Sequence, residues 1–120
     1  MKKTVVSFKD DKMIIEEKSG ICCIDYNHIV GIFCDHPYLK MKILDKKDKY
    51  IFHTIKEIFY LLPDDFIICN RSSIVNLHFF SSLETKNHQY FLYLKTGDKI
   101  PVSNEYRKIV KEKIRKYLLL

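Results

Sequence analysis

The chain has 120 residues, 21 Lys+Arg against 15 Asp+Glu for a net charge of +6, and 47% hydrophobic residues, a composition that describes one compact domain and excludes intrinsic disorder. Its three glycines, Gly20, Gly31 and Gly97, lie far apart, which excludes the phosphate-cradling Walker and dinucleotide loops. The longest apolar runs, such as Ile29 to Cys34, fall far short of the roughly 20 residues needed to cross a bilayer, and the basic start Met1-Lys2-Lys3 reaches Lys9-Asp10 before any apolar stretch of signal length.

Short runs rich in β-branched and aromatic residues follow one another closely, the mark of a mainly β fold. Thr4 to Lys9 and Met13 to Glu17 flank Asp10-Asp11-Lys12 and predict a hairpin. Ile29 to Cys34 and Tyr38 to Leu44 form the next pair of strands, with a break at Asp35-His36-Pro37 because Pro37 has no backbone donor. Near-alternation in Tyr38-Leu39-Lys40-Met41-Lys42-Ile43 implies a strand with one wet face. Lys49 to His53 is a short strand across Lys46-Lys47-Asp48.

The period then changes. Thr54 is a candidate N-cap for a short helix with apolar residues at 55, 58, 59 and 62 that stops at Pro63. Phe66 to Cys69 returns to strand, Asn70 to Asn76 is expected to be a turn or a single helical turn, and Phe79 to Thr85 is again a strand. After Asn87-His88, Tyr90 to Lys95 pairs with Lys99 to Val102 across Thr96-Gly97-Asp98. Ser103 is placed to cap a final helix, with Tyr106, Ile109, Val110, Ile114, Tyr117 and Leu118 as one buried stripe and Lys and Arg opposite. The closing Leu118-Leu119-Leu120 exceeds that stripe's need, so these leucines cap the core, form a self-association patch or mark a truncation.

Charge is uneven. Residues 1–85 carry 12 Lys+Arg and 12 Asp+Glu, whereas residues 86–120 carry 9 and 3, so the whole excess lies in the last 35 positions. A basic region of this kind suits a polyanionic partner or a solvated lysine-rich helix face. The four cysteines, Cys22, Cys23, Cys34 and Cys69, form no C-x-x-C and sit among apolar neighbours, which predicts reduced, buried thiols in a cytoplasmic protein. No two of the five histidines are three or four apart, so neither a metal site nor a cofactor is expected. The acidic pairs Asp10-Asp11, Glu16-Glu17 and Asp64-Asp65 suit turns, and Ser72-Ser73 lacks a nucleophile elbow. The chain is expected not to be an enzyme.

Phe66 to Leu77 carries the most information. Arg offers a planar fork to guanine or phosphate, Asn can pair with adenine, and serines donate to phosphate oxygens. Asn70-Arg71-Ser72-Ser73 brings all three together. The competing reading is a turn in which asparagine side chains bond their own backbone, and for Asn76, between Val75 and Leu77, that structural role is favoured.

Phe66, Arg71-Ser72 and Ile74-Val75-Asn76-Leu77, with Gly97-Asp98-Lys99-Ile100-Pro101-Val102-Ser103-Asn104-Glu105-Tyr106 further on, closely resemble the LytTR family, the DNA-binding domain of LytR and AlgR type bacterial response regulators. The likeness extends upstream through His28-Ile29-Val30, Tyr38 and the Thr54 to Leu62 helix, covering roughly Ile21 to Leu118. It implies an elongated stack of antiparallel β-sheets with short helices and a C-terminal amphipathic helix. It also implies sequence-specific binding of double-stranded DNA by loops in successive major grooves, in a transcriptional regulator of a two-component system. Carried over, the contact loops are Asp35 to Tyr38, with His36, Tyr38 and Lys40; Asn70, Arg71, Ser72 and Ser73; and the start of the final helix. There the family has a basic residue after the serine, whereas this chain has Asn104, with Arg107 and Lys108 one turn later to meet phosphates.

The resemblance further implies a homodimer on a directly repeated operator. Regulators of this family carry a receiver domain ahead of the DNA-binding part, and 120 residues leave no room for one, so a stand-alone LytTR protein or a fragment of a longer regulator is expected. Residues 1–120 form a single domain in this reading, with residues 1–20 an extra hairpin that matches the family poorly. The element pattern alone also suits a pleckstrin-homology-like module binding anionic lipid head groups or peptides. A single-stranded nucleic-acid binder, stacking bases on the eight Tyr and eight Phe, is a weaker variant, because most of those rings alternate with polar residues as core positions do.

Overall fold

The computed structural model describes residues 3–119. Among the described residues, eleven strands form three antiparallel sheets. The N-terminal sheet is β1 (Val5–Lys9), β2 (Lys12–Glu17) and β3 (Gly20–Asp25) in that order. The central sheet holds β4 (Ile29–Asp35), β5 (Tyr38–Ile43), β6 (Lys49–Ile51), β7 (Phe66–Asn70) and β8 (Ser73–Asn76), ordered β6-β5-β4-β8-β7. The C-terminal sheet, ordered β11-β10-β9, consists of β9 (Phe80–Lys86), β10 (Gln89–Leu94) and β11 (Lys99–Val102). Helix α1 (Ile55–Phe59) joins β6 to β7, and α2 (Arg107–Leu118) ends the chain. The stack measures 45 × 30 × 24 Å.

The central sheet is the middle layer because three of its strands, β4, β7 and β8, are apolar on both faces. Ile32, Ile74 and Phe66 point into one core shared with Met13 and Ile15 of β2 and with Ile55 and Ile58 of α1. Val30, Val75 and Ile67 point into a second core shared with Leu92, Ile100, Val110 and Ile114. The strand at β8 overturns the expected turn over Asn70 to Asn76. Ser73, Ile74, Val75 and Asn76 are all buried between β4 and β7, and a strand covered on both faces shows no alternation to betray it. Asn76 is fully buried; its amide donates to the carbonyls of Tyr26 and Ile29, both at 3.0 Å, and its oxygen accepts from His78 N–H.

Three further expectations need correction. Ser103 precedes a single 3₁₀ turn, Asn104–Tyr106, and its hydroxyl makes no capping bond; α2 proper starts at Arg107. The turn is closed instead by Tyr106 N–H on the Ser103 carbonyl at 3.0 Å. In the helical stripe Val110 and Ile114 are buried, but Ile109 is 49% exposed and Leu118 is also open to solvent, because β7 and the C-terminal sheet cover only a narrow side of the helix. Of the cysteines only Cys69 is buried; Cys22 is half-buried, while Cys23 and Cys34 are exposed, all four as free thiols. Cys23 lies on the uncovered face of β3, and Cys34 lies where β4 runs out beyond the packed layers.

Thr54 caps α1 as expected, with Glu57 completing a capping box, although the helix ends at Phe59 rather than Leu62. No helix among the described residues is long and apolar enough to cross a membrane.

Gly31 lies where β4 and β8 approach closely. It sits at an irregularity in the β4–β5 register, and a Cβ there would lie 2.8 Å from the Ile74 carbonyl oxygen and 2.7 Å from the Phe33 ring. Gly31→Ala is therefore expected to destabilise the fold by about 1–3 kcal/mol, measured by urea unfolding; unchanged stability would mean that the β4–β8 approach is looser than described.

Candidate nucleic-acid interface

Three stretches of chain meet where β4 and β7 of the central sheet end. The first is the β4–β5 hairpin tip, where His36 and Pro37 are exposed and Tyr38 packs its ring edge-on against Phe52 at 6.1 Å. The second is the β7–β8 turn, whose two tip residues are Arg71 and Ser72. The third runs from the end of β11 into the 3₁₀ turn before α2.

Main-chain and amide hydrogen bonds tie the three together. Cys34 N–H donates to the Ser72 carbonyl at 2.9 Å, joining the hairpin to the turn. Ser103 N–H donates to the Cys69 carbonyl at 3.0 Å, and the Asn70 side-chain amide donates to the Pro101 carbonyl at 2.7 Å, joining the turn to the third stretch. The Asn70 oxygen also accepts from Ser72 N–H at 2.8 Å, a local bond that fixes the turn. Both ends of the Asn70 amide thus have partners within the protein.

Arg71 is the outlier in exposure. Its side chain is 86% exposed, and its single partner is Glu105, with Nε 3.4 Å from the carboxylate. An exposed pair at that distance contributes little and leaves the guanidinium's outer edge open. Ser72 is exposed beside it, whereas Ser73 is buried inside β8. Lys40 lies farther along β5, half-buried, on the same face as Lys42. Lys42 donates to Asp98 at 2.6 Å; partial burial opposes the charged form of Asp98, but the bonds from Lys42 and Thr96 and the charge of Lys40 hold its carboxyl below the usual range.

The start of α2 divides in two. Asn104 and Lys108 are exposed. Arg107 turns away: its guanidinium donates to the His88 carbonyl at 2.6 Å and stacks 4.5 Å from the Tyr90 ring centre. Lys111 joins it, donating to the Tyr90 hydroxyl at 2.7 Å, and that bond, with the charge behind it, lowers the phenol's pKa. Arg107 and Lys111 therefore brace the C-terminal sheet.

Between the three stretches and α1 lies an open groove of about 870 Å³. It brings together His36, Tyr38 and Arg71 from the residues singled out in the sequence. Glu105 and Tyr106, which belong to the motif quoted for the third stretch, also line it, as do Lys3 and Lys56 from the α1 side, which no sequence pattern links to the loops. Asn104, Arg107 and Lys108 do not line it.

With this arrangement in view, the LytTr DNA-binding domain model matches residues 19–115. The chain belongs to the LytTR family. That match spans most of the chain and makes it a DNA-binding domain of the kind carried by transcriptional regulators. Its fold is also that of the LytTr DNA-binding domain of a Bacillus cereus protein described as a methyl-accepting/DNA response regulator, with a TM-score of 0.72 at 21% identity over 95% of this chain and 98% of that one. No curated protein matched the sequence. The family match begins within the turn after β2, so β1 and β2 precede it.

One rim of the groove of this LytTR domain is set by α1. The Lys3 ammonium, with the Thr54 backbone and hydroxyl, holds the Glu57 carboxyl at about 2. Because that value lies below the 4.5 of the free side chain, the pair's contribution is fully present above about pH 4.5 and is lost as pH falls toward 2. Glu57→Gln is expected to lower stability at neutral pH and to flatten the acid-side fall, read by urea unfolding across that window. Identical slopes in both proteins would show that the cap and the Lys3 pair do not form in solution.

Proposed function

We propose that this LytTR domain reads double-stranded DNA sequence-specifically and regulates transcription from the cytoplasm, acting as one unit over residues 1–120. The β4–β5 tip and the β7–β8 turn enter successive major grooves on one face of the duplex. The observation that carries the reading is Arg71: a nearly free guanidinium on a two-residue turn that Asn70 holds in shape, hydrogen-bonded through Ser72 to the hairpin that bears His36. A planar fork on a fixed turn suits guanine in the major groove.

In this reading Arg71 and His36 discriminate bases, with Asn104 a third candidate opposite adenine. Tyr38, Ser72, Lys40 and Lys108 meet the backbone. Asn70 positions the turn, Ser73 belongs to the core, and Arg107 acts through Tyr90 rather than on phosphate. Glu105 lies beside Arg71 and is displaced from it when DNA binds. No cofactor takes part, and two copies sit side by side on a direct repeat. The pleckstrin-homology-like reading is not favoured: three stacked sheets replace its expected plan, and the family match is to a DNA-binding domain.

Selection of duplexes from a randomised pool is expected to enrich a short motif that recurs at about one helical turn. Arg71→Ala is expected to flatten the preference at one base position, by about 1–3 kcal/mol. Lys108→Ala is expected to weaken all duplexes alike and to reduce the salt slope by about one unit. Equal behaviour of the two variants would overturn the division of roles, and binding without enrichment would overturn sequence-specific reading.

A further inference from the structure

The edges of the three sheets are not equally protected. In the central sheet β6 is three residues long and is continued by Thr4, which exchanges hydrogen bonds with Phe52. On the other side β7 is covered by Ser103 and α2. In the C-terminal sheet β11 carries Lys99 and Pro101, and β9 carries Glu84 and Lys86. Such charges, prolines, short lengths and covers are the ordinary ways of keeping an edge from pairing with another chain. In the N-terminal sheet the outer strand β1 ends in Lys9, whereas β3, Gly20-Ile21-Cys22-Cys23-Ile24-Asp25, is six residues long, has no Lys, no Pro and no register shift against β2, and carries its one charge, Asp25, at its end, paired with Lys12.

Its hydrogen-bonding direction follows from the register. Tyr26 N–H donates to the Asp11 carbonyl at 2.8 Å, and Met13↔Ile24, Ile15↔Cys22 and Glu17↔Gly20 continue that alternation along the ladder. Hydrogen-bonded pairs recur at every second residue of an antiparallel ladder. The N–H and C=O groups of Ile21 and Cys23 therefore point away from β2, toward an edge where no other described strand lies. The same two residues put their side chains on the outer face, where Ile21 is 69% exposed and Cys23 is also exposed.

We infer that β3 pairs antiparallel with β3 of a second copy of this chain. Only an extended strand satisfies alternating donors and acceptors along an edge, and β3 matches itself. With the two-fold axis at Cys22, Ile21 lies opposite Cys23 of the second copy and Cys23 opposite its Ile21, both as reciprocal hydrogen-bonded pairs. Exposed apolar side chains then meet each other, next to Ile14, which lies beside Cys23 on β2. Such a pairing is isologous and closes at two copies. It involves none of the residues assigned to DNA, and it differs from the translation that relates two copies on a direct repeat.

The test is the molar mass of the free protein, by sedimentation equilibrium over a wide concentration range under reducing conditions. The wild type is expected to pass from one chain to two as concentration rises. Ile21→Lys places a charge on the edge, and Cys23→Pro removes only an outward-pointing donor, a substitution that edge strands tolerate. Each is expected to raise the dimer dissociation constant at least about tenfold, with circular dichroism and DNA affinity unchanged. A wild type that stays a single chain throughout, or a dimer that both variants form as readily, overturns the inference. So does a dimer that Ile109→Lys abolishes while the two β3 variants retain it, because that places the contact on α2.

Discussion

Burial of both faces of β4, β8 and β7 is the constraint from which the rest of the architecture follows. A sheet with two dry faces needs a cover on each, and the N-terminal sheet with α1 supplies one while the C-terminal sheet with α2 supplies the other. The same property removes a safeguard. In a strand with one wet face, a one-residue slip exposes the core and is strongly resisted, but in a strand apolar on both sides it exchanges one apolar face for another. Register must then come from residues that tolerate only one neighbourhood. Asn76, buried with all three of its amide bonds to Tyr26, Ile29 and His78, is one; Gly31, with no space for a Cβ beside Ile74, is another. By fixing β8 against β4 they also fix which residues form the β7–β8 turn, and so place Arg71 at its tip.

Legibility in the sequence followed the same physics. Hairpins with turn chemistry or a wet face, such as β1–β2 and β10–β11, could be read from local alternation and from Asp10-Asp11 and Thr96-Gly97-Asp98. The N-cap of α1 could be read from Thr54. Strand β8 could not: Ser73 to Asn76 is short, buried on both faces and so without alternation, and lies directly after the Asn70-Arg71-Ser72 turn chemistry, while its second partner, β4, lies about 40 residues earlier. The stripe on α2 was overread at Ile109 and Leu118 for a related reason, since periodicity reports which residues share a face and not how wide a face the neighbours cover. The likeness in Arg71-Ser72 and Ile74 to Leu77 pointed to the segment where the structure has a two-residue turn at Arg71 and Ser72, with Ser73 already inside β8, whereas Lys56 across the groove was invisible, being joined to it only through the fold.

Net charge required similar correction. The whole excess of +6 lies in residues 86–120, yet the structure occupies several of those cations. Arg107 and Lys111 lie against Tyr90, and Lys99 lies 4.2 Å from the Phe91 ring centre. Cations stacked on rings in this way are apolar packing as much as charge. Lys108, Arg115 and Lys116 remain exposed along α2. Lys86 and Lys95 of the C-terminal sheet region are exposed as well, so the free cations that a polyanion meets are fewer than the composition suggests but lie on both the helix and that sheet.

The packing of α2 bears on the proposal that loops rather than the long helix read bases. A recognition helix must enter the groove with one side free along its length, but Val110 and Ile114 pin α2 to the sheets, and its N-terminus is already engaged through Ser103 on Cys69. Moving it would unpack the second core. The β7–β8 turn faces the opposite situation. Its backbone is held by two strands in the middle of the molecule and by the Asn70 bonds to Ser72 and Pro101, so little backbone entropy remains to be lost on binding. The Arg71 side chain is left free to find its partner. Rigidity lies where the chain is most deeply packed, and the Arg71 side chain, 86% exposed, projects from it.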